Sequence, residues 1–123
     1  MNTKKILYVD DESINLQLFR FNFQNDFHLF LASSGSEALD IIKNEQINVI
    51  ISDLKMPGMD GIELIERIKK DNPDKICLML SAYYISEAIT MGLNESLIYK
   101  YLLKPWNKNE VTKILNELFA THV

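Results

Sequence analysis

The sequence predicts a doubly wound α/β fold, a (βα)5 chain whose five-stranded parallel sheet has the order 2-1-3-4-5. Two observations and one rule of chain connection predict it. Short apolar runs alternate with longer amphipathic segments along all 123 residues, with no repeat or linker between them. Most of these runs are near-continuous rather than alternating, which is how a parallel strand covered on both faces reads. Crossovers between parallel strands are right-handed, so the intervening helices pack onto both faces of one sheet.

The strands are read at residues 6–9, 27–31, 49–51, 76–80 and 97–103. Helix 1 rests on Ile14, Leu18 and Phe21, at i, i+4 and i+7, flanked by polar Asn15, Gln17 and Arg20. Ala38, Leu39 and Ile42 mark helix 2, and Ile62, Ile65, Ile68 and Lys69 trace helix 3. A weaker, shorter helix 4 covers residues 86–91 and ends at Gly92. Val111, Ile114, Leu115, Leu118 and Phe119 give helix 5 the clearest stripe. Ser34 with Glu37, Asp60 with Glu63, and Asn107 with Glu110 are capping patterns, in which a short polar side chain meets an orphan N–H.

Composition narrows the class. Apolar residues make up 47% and charged residues 24%, enough for a real core without disulfides or a structural metal. The single cysteine, Cys77, sits mid-strand as a core residue and points to a reducing compartment. Thirteen Lys and Arg against 17 Asp and Glu give a net charge of -4, a poor basis for holding nucleic acid phosphates. The longest apolar runs fall far short of the ~20 residues of a membrane span. Lys4 and Lys5 precede too short an apolar run for a signal peptide. The expectation is one mildly acidic cytoplasmic domain that neither binds nucleic acid directly nor enters a membrane.

In such a fold, function collects beyond the carboxyl ends of the strands, next to the switch point between strands 1 and 3. Strand 1 runs into Asp10, Asp11 and Glu12; strand 3 into Ser52 and Asp53; strand 4 into Ser81 and Ala82; strand 5 into Lys104 and Pro105. Taken singly, each has a plain structural use. Asp10 or Asp11 can cap helix 1, Asp53 can open the turn at residues 56–58, Ser81 can bind local backbone, and Lys-Pro is ordinary punctuation. Taken together they crowd three carboxylates, a hydroxyl and an ammonium into one place. Two like charges ~4 Å apart repel by about 4 kcal/mol at an effective dielectric near 20, so the cluster needs positive charge. Lys104 supplies one, and Mg²⁺, which takes carboxylates, waters and phosphate oxygens, matches the rest. A carboxylate beside a divalent cation and an ammonium is a good nucleophile towards phosphorus, and its product is an aspartyl phosphate.

These motifs are Val9-Asp10-Asp11, the nine residues from Asp53 to Gly61, Ser81-Ala82, and Tyr101-Leu102-Leu103-Lys104-Pro105. Through them the chain resembles a response-regulator receiver domain of two-component signalling, from strand 1 to helix 5. The resemblance implies the flavodoxin-like receiver fold over residues 1–123, with Asp53 as phospho-acceptor. It implies that Asp11, Asp53 and the Lys55 backbone carbonyl bind Mg²⁺ directly, and that Asp10 acts through water. Ser81 and Lys104 contact the phosphoryl group, Ser81 and Tyr101 form the switch, and the Lys104-Pro105 peptide is cis. The implied partners are a histidine kinase or histidine phosphotransfer protein, an output domain or downstream protein, and a second copy in a phosphorylation-dependent dimer. Beyond self-phosphorylation and slow autodephosphorylation, no enzyme activity is expected. Lys55 and Tyr83 stand where family members tune phosphate loss, and neither offers a carboxylate or carboxamide to orient a water.

Other residues and classes rank lower. Asp60 reads as the cap of helix 3, and Gly58 and Gly61 as turn residues. His28 and His122 lack a carboxylate arranged for catalysis, and Trp106 anchors the loop before helix 5. A hydrolase of the haloacid-dehalogenase type places its two aspartates two residues apart after strand 1, whereas Asp10 and Asp11 are adjacent. A flavodoxin-like cofactor binder needs a phosphate loop there, which Asp10-Asp11-Glu12 would repel.

Overall fold

The computed structural model describes residues 4–122; residues 1–3 and 123 of the expected domain lie outside them. Along the chain β1 (Lys5–Val9) leads to α1 (Ser13–Phe23), β2 (His28–Ala32) to α2 (Gly35–Asn44), and β3 (Val49–Asp53) to α3 (Gly61–Asp71). Then β4 (Ile76–Ser81) leads to α4 (Ile85–Thr90), and a 3-10 turn at Glu95–Leu97 precedes β5 (Lys100–Leu103) and α5 (Lys108–Thr121). The strands form one sheet in the order β2-β1-β3-β4-β5, with every pairing parallel, as expected.

Strand alternation divides the core in two. Ile6, Tyr8, Ile51 and Leu80 face the layer that contains Phe19, Phe23 and Leu115 from α1 and α5. Leu7, Val9, Ile50 and Met79 face the other, with Ala38, Leu64 and Ile65 from α2 and α3. The central strands are therefore apolar at nearly every position, and Cys77 is buried among them.

Helix α1 corrects the expected stripe. Ile14, Leu18 and Phe21 are 69%, 51% and 76% exposed, while Phe19 and Phe23 are fully buried. Two apolar stripes run along this helix, and the one with the larger aromatic surface takes the core. Phe19 stacks on Tyr8 with ring centroids 4.1 Å apart, and Phe23 lies 5.4 Å from Trp106. Trp106 thereby anchors the loop before α5, as expected.

The three expected caps form. Glu37 N donates to Ser34 Oγ at 3.1 Å, Glu63 N to Asp60 Oδ1 at 2.8 Å, and Glu110 N to Asn107 Oδ1 at 3.0 Å. At α1 the capping residue is Glu12, with no side-chain cap bond, so neither Asp10 nor Asp11 serves there. Other boundaries shift for local reasons. Residue 27 stays outside β2 because Phe27 N still donates to Phe23 O at 3.0 Å in the exit turn of α1. Residues 97–99 leave β5 because Asn94 Oδ1 accepts the Ser96 N–H and winds the 3-10 turn. Helix α4 begins one residue early, where Glu87 Oε1 accepts the Tyr84 N–H at 2.9 Å.

Candidate functional site

Sheet register builds the site. Val9 lies beside Ser52 and Asp53 beside Leu80, so Asp10 and Asp53 leave neighbouring strands at the same level. Ser81 ends β4 beside Leu103, and Lys104 N donates to Ser81 O at 2.8 Å, which ties the ends of β4 and β5 together. Asp10, Asp11 and Asp53 each offer an oxygen, and these oxygens lie within 4.8 Å of one another. Asp10 is fully buried, Asp53 half-buried and Asp11 exposed.

Lys104 stands between the two deeper carboxylates, with Nζ 3.0 Å from Asp10 Oδ2 and 3.3 Å from Asp53 Oδ2. Burial opposes its charge, but both carboxylates outweigh that and raise its pKa above the ordinary lysine value. Burial raises the Asp53 pKa, Lys104 works against the rise, and Asp10 adds to it. Asp53 Oδ1 accepts the Leu54 N–H at 2.8 Å, which fixes the carboxylate against the start of the following loop. Lys55 is exposed in that loop. The Lys104-Pro105 peptide is cis, as expected.

Ser81 and Tyr101 meet through Tyr83. Tyr83 N donates to Ser81 Oγ at 2.9 Å, and the Tyr101 hydroxyl donates to Tyr83 O at 2.7 Å. One residue of the β4–α4 loop thus joins the serine to the β5 tyrosine by hydrogen bonds.

Two contributors escape the reading of strand ends. The Tyr8 hydroxyl donates to Asp10 Oδ2 at 2.7 Å from inside the core, and burial, then Asp10, raises its pKa well above the ordinary phenol value. Its signal is the i, i+2 spacing that puts residues 8 and 10 on one face of a strand. Gly61 opens α3 against the backbone of β3; a Cβ there would lie 2.1 Å from Asp53 O. Gly61 N also donates to Leu54 O at 2.8 Å, so this glycine sets the loop that carries Lys55. Its role is close approach, beyond the turn expected of it. Gly58 does serve the turn, with φ of 73°.

His28 lies exposed on β2, and the exposed His122 ring packs edge-on against Tyr99, both away from the carboxylates. Cys77 is inert by burial, which pushes its thiol up to about 12.

The family model described as "Response regulator receiver domain" matches residues 6–116. The chain belongs to the response regulator receiver family. Receiver domains take phosphoryl groups from kinases and signal to output domains, so the chain is a phosphorylation-controlled switch of two-component signalling. It is 36% identical to sporulation initiation phosphotransferase F of Bacillus subtilis over 116 residues, covering 90% of both chains. It is 35% identical to the hydrogenase transcriptional regulatory protein HoxA of Cupriavidus necator, covering 82% of this chain and 21% of that one. The chain thus spans about a fifth to a third of the length of several regulators it matches. Among solved structures, the signal receiver domain of an HD domain-containing protein from Pseudomonas fluorescens superposes with a TM-score of 0.89. It is 28% identical, and the match covers 97% of this receiver and 96% of that chain. The response regulator TrrA of Thermotoga maritima, solved in complex with Mg(2+)-BeF, gives a TM-score of 0.84 at 28% identity. That match covers 94% of this receiver and 99% of TrrA.

Proposed function

We propose that this receiver accepts its phosphoryl group on Asp53, with Mg²⁺, from a histidine kinase or histidine phosphotransfer protein. The observation that carries the reading is the convergence of Asp10, Asp11 and Asp53 around a single ammonium, that of Lys104. Oxygen ligands in excess of the local positive charge suit a hard divalent cation. The exposed Asp11 carboxylate has no side-chain hydrogen bond or ion pair among the described residues, which leaves it available. Asp11, Asp53 and the Lys55 carbonyl would hold Mg²⁺ directly and Asp10 through water. When bound, the ion neutralises charge on the incoming phosphoryl oxygens.

An Asp53 carboxylate oxygen attacks phosphorus in line with the bond to the donor's imidazole nitrogen. The new O–P bond forms as the N–P bond breaks; the electron pair stays on the imidazole, which takes up a solvent proton. Lys104 turns its ammonium to the phosphoryl oxygens, and Ser81 donates its hydroxyl to another. Ser81 then carries Tyr83 and Tyr101 with it. Tyr84, Ile85, Ile89, Tyr99 and Leu103 are exposed apolar residues of α4, β5 and their connections. They form the surface offered to an output domain, a downstream protein or a second phosphorylated copy. No helix among the described residues is long and apolar enough to cross a membrane, which accords with a receiver working in the cytoplasm.

Intact-mass measurement with acetyl phosphate and Mg²⁺ tests the assignment. One added phosphoryl group is expected, absent with chelator or in Asp53→Asn; undiminished labelling of Asp53→Asn would sink it.

A further inference from the structure

We infer that Tyr8 is a positioning residue for phosphorylation: by holding Asp10 Oδ2 independently, its hydroxyl frees Lys104 to move from Asp10 to the phosphoryl group. The inference rests on the proposed roles of Asp53 and Lys104 and adds a residue that no motif at the strand ends contains.

Asp10 is wholly buried, so each of its oxygens needs donors whatever the state of the site. Oδ1 has the Glu12 N–H at 3.0 Å. Oδ2 has two donors, Lys104 Nζ at 3.0 Å and the Tyr8 hydroxyl at 2.7 Å. The first of these is the group that the reaction withdraws. With Phe in place of Tyr8, Lys104 would be the remaining protein donor to Oδ2, and its departure would leave that buried oxygen without a protein partner. Such an atom resists losing its partner, and the ammonium would stay where it is.

The Tyr8 hydroxyl is well placed for this task because it cannot follow Lys104. Its ring is fully buried and stacks on Phe19 at 4.1 Å with planes 16° apart, and Phe19 in turn meets Trp106 at 6.0 Å. The strand fixes residues 8 and 10 on one face, so donor and acceptor are held by the same five-residue element and its first following residue. Lys104 instead reaches the site on a long stem from the end of β5 and already divides its attention between Asp10 and Asp53.

The test compares beryllofluoride affinity with Mg²⁺ in wild type, Tyr8→Phe, Lys104→Ala and the double variant, read from the single tryptophan, Trp106. Tyr8→Phe is expected to weaken binding roughly tenfold, the order of effect of stranding one buried acceptor. In the Lys104→Ala background the same change is expected to have no further effect, because no ammonium remains to be freed. An equal loss in both backgrounds, or no loss in either, overturns the inference. In the unsubstituted protein the buried Tyr8 hydroxyl proton, followed by NMR, is expected to persist when beryllofluoride and Mg²⁺ bind. Its disappearance also overturns the inference, and this measurement does not depend on Tyr8→Phe folding. Failure of the wild type to bind beryllofluoride at all would instead count against the assignment of Asp53.

Discussion

At Asp53 two requirements conflict. The carboxylate is sunk deep enough to share Lys104 with Asp10, yet the proposed attack on phosphorus requires it ionised. Burial raises its pKa, Lys104 opposes this and Asp10 reinforces it, so the folded protein holds the Asp53 proton more tightly than the unfolded chain does. The stability gained from that proton is fully present below the unfolded value of 3.8 and lost as pH rises through the higher folded value. Lys104, whose pKa is raised by the same carboxylates, contributes stability that is present below its unfolded value of 10.5 for as long as they stay ionised. Asp53→Asn is therefore expected to melt higher than wild type at pH 7, with the gain shrinking as pH falls towards 3.8. Asp11→Asn relieves the same crowding and removes a proposed metal ligand. It is expected to raise the melting temperature of the metal-free protein and abolish the rise that saturating Mg²⁺ produces, a rise worth about 2.7 kcal/mol at a hundredfold excess over Kd. Thermal melts with Mg²⁺ and with chelator check both; an Asp11→Asn protein that melts lower yet responds fully to Mg²⁺ would move the pocket elsewhere.

Residues 55 and 83 set a second expectation at this scale. Lys55 is exposed beside the acceptor loop, and Tyr83 is half-buried with its backbone bonded on both sides. Neither offers a carboxylate or carboxamide to orient a water opposite Asp53, and hydrolysis of an acyl phosphate depends on that alignment. The phosphoprotein is expected to last far longer than seconds, and Lys55→Asn/Tyr83→Glu to shorten its life about tenfold, a change of ~1.4 kcal/mol in the barrier. Phosphoprotein decay at neutral pH with Mg²⁺ decides this; no acceleration in the double variant would remove these side chains from the clock.

Among the elements, α1 carries an exposed apolar surface that shares a cavity with Lys104 of the site. Its exposed Leu18 lines a cavity of about 450 Å³ with Asn15, Asn22, Lys104, Pro105 and Trp106, and Ile14 and Phe21 project on the same helix. An apolar ledge that reaches Lys104, a neighbour of the proposed acceptor Asp53, suits a phosphodonor protein rather than a small phosphodonor. Leu18→Ala is expected to slow phosphotransfer from a phosphorylated kinase about tenfold while labelling by acetyl phosphate is unchanged. Equal rates from the kinase would place docking elsewhere. Much of the fold was legible because the strands are apolar on both faces and Ser34, Asp60 and Asn107 signal their helices directly. The face of α1 was not, because it carries two stripes and only the position of Tyr8 and Trp106 chooses between them. The start of β5 was obscured by Asn94, whose side chain turns an apolar run into a 3-10 turn. The carboxylates, Ser81 and Lys104 were legible from their place after strands. Tyr8 and Gly61 were hidden because one looks like core and the other like a turn residue.

On the scale of the whole molecule, the site joins four strand ends, and one of its hydrogen-bonded connections leads towards α4 and β5. That connection runs from Ser81 through Tyr83 to Tyr101, and so to α4 and β5. Helix α4 spans only six residues, the least extensive of the five α-helices, and buries Ala88 alone, which suits a segment with two arrangements of similar energy. Phosphorylation at Asp53 is expected to be read on this side of the molecule by biasing those arrangements. Amide hydrogen exchange, measured with and without beryllofluoride in the presence of Mg²⁺, tests it most directly. Apart from protection around Asp53, the changes are expected to concentrate at residues 82–101. A uniform change across all five helices, or none between residues 82 and 101, would contradict it.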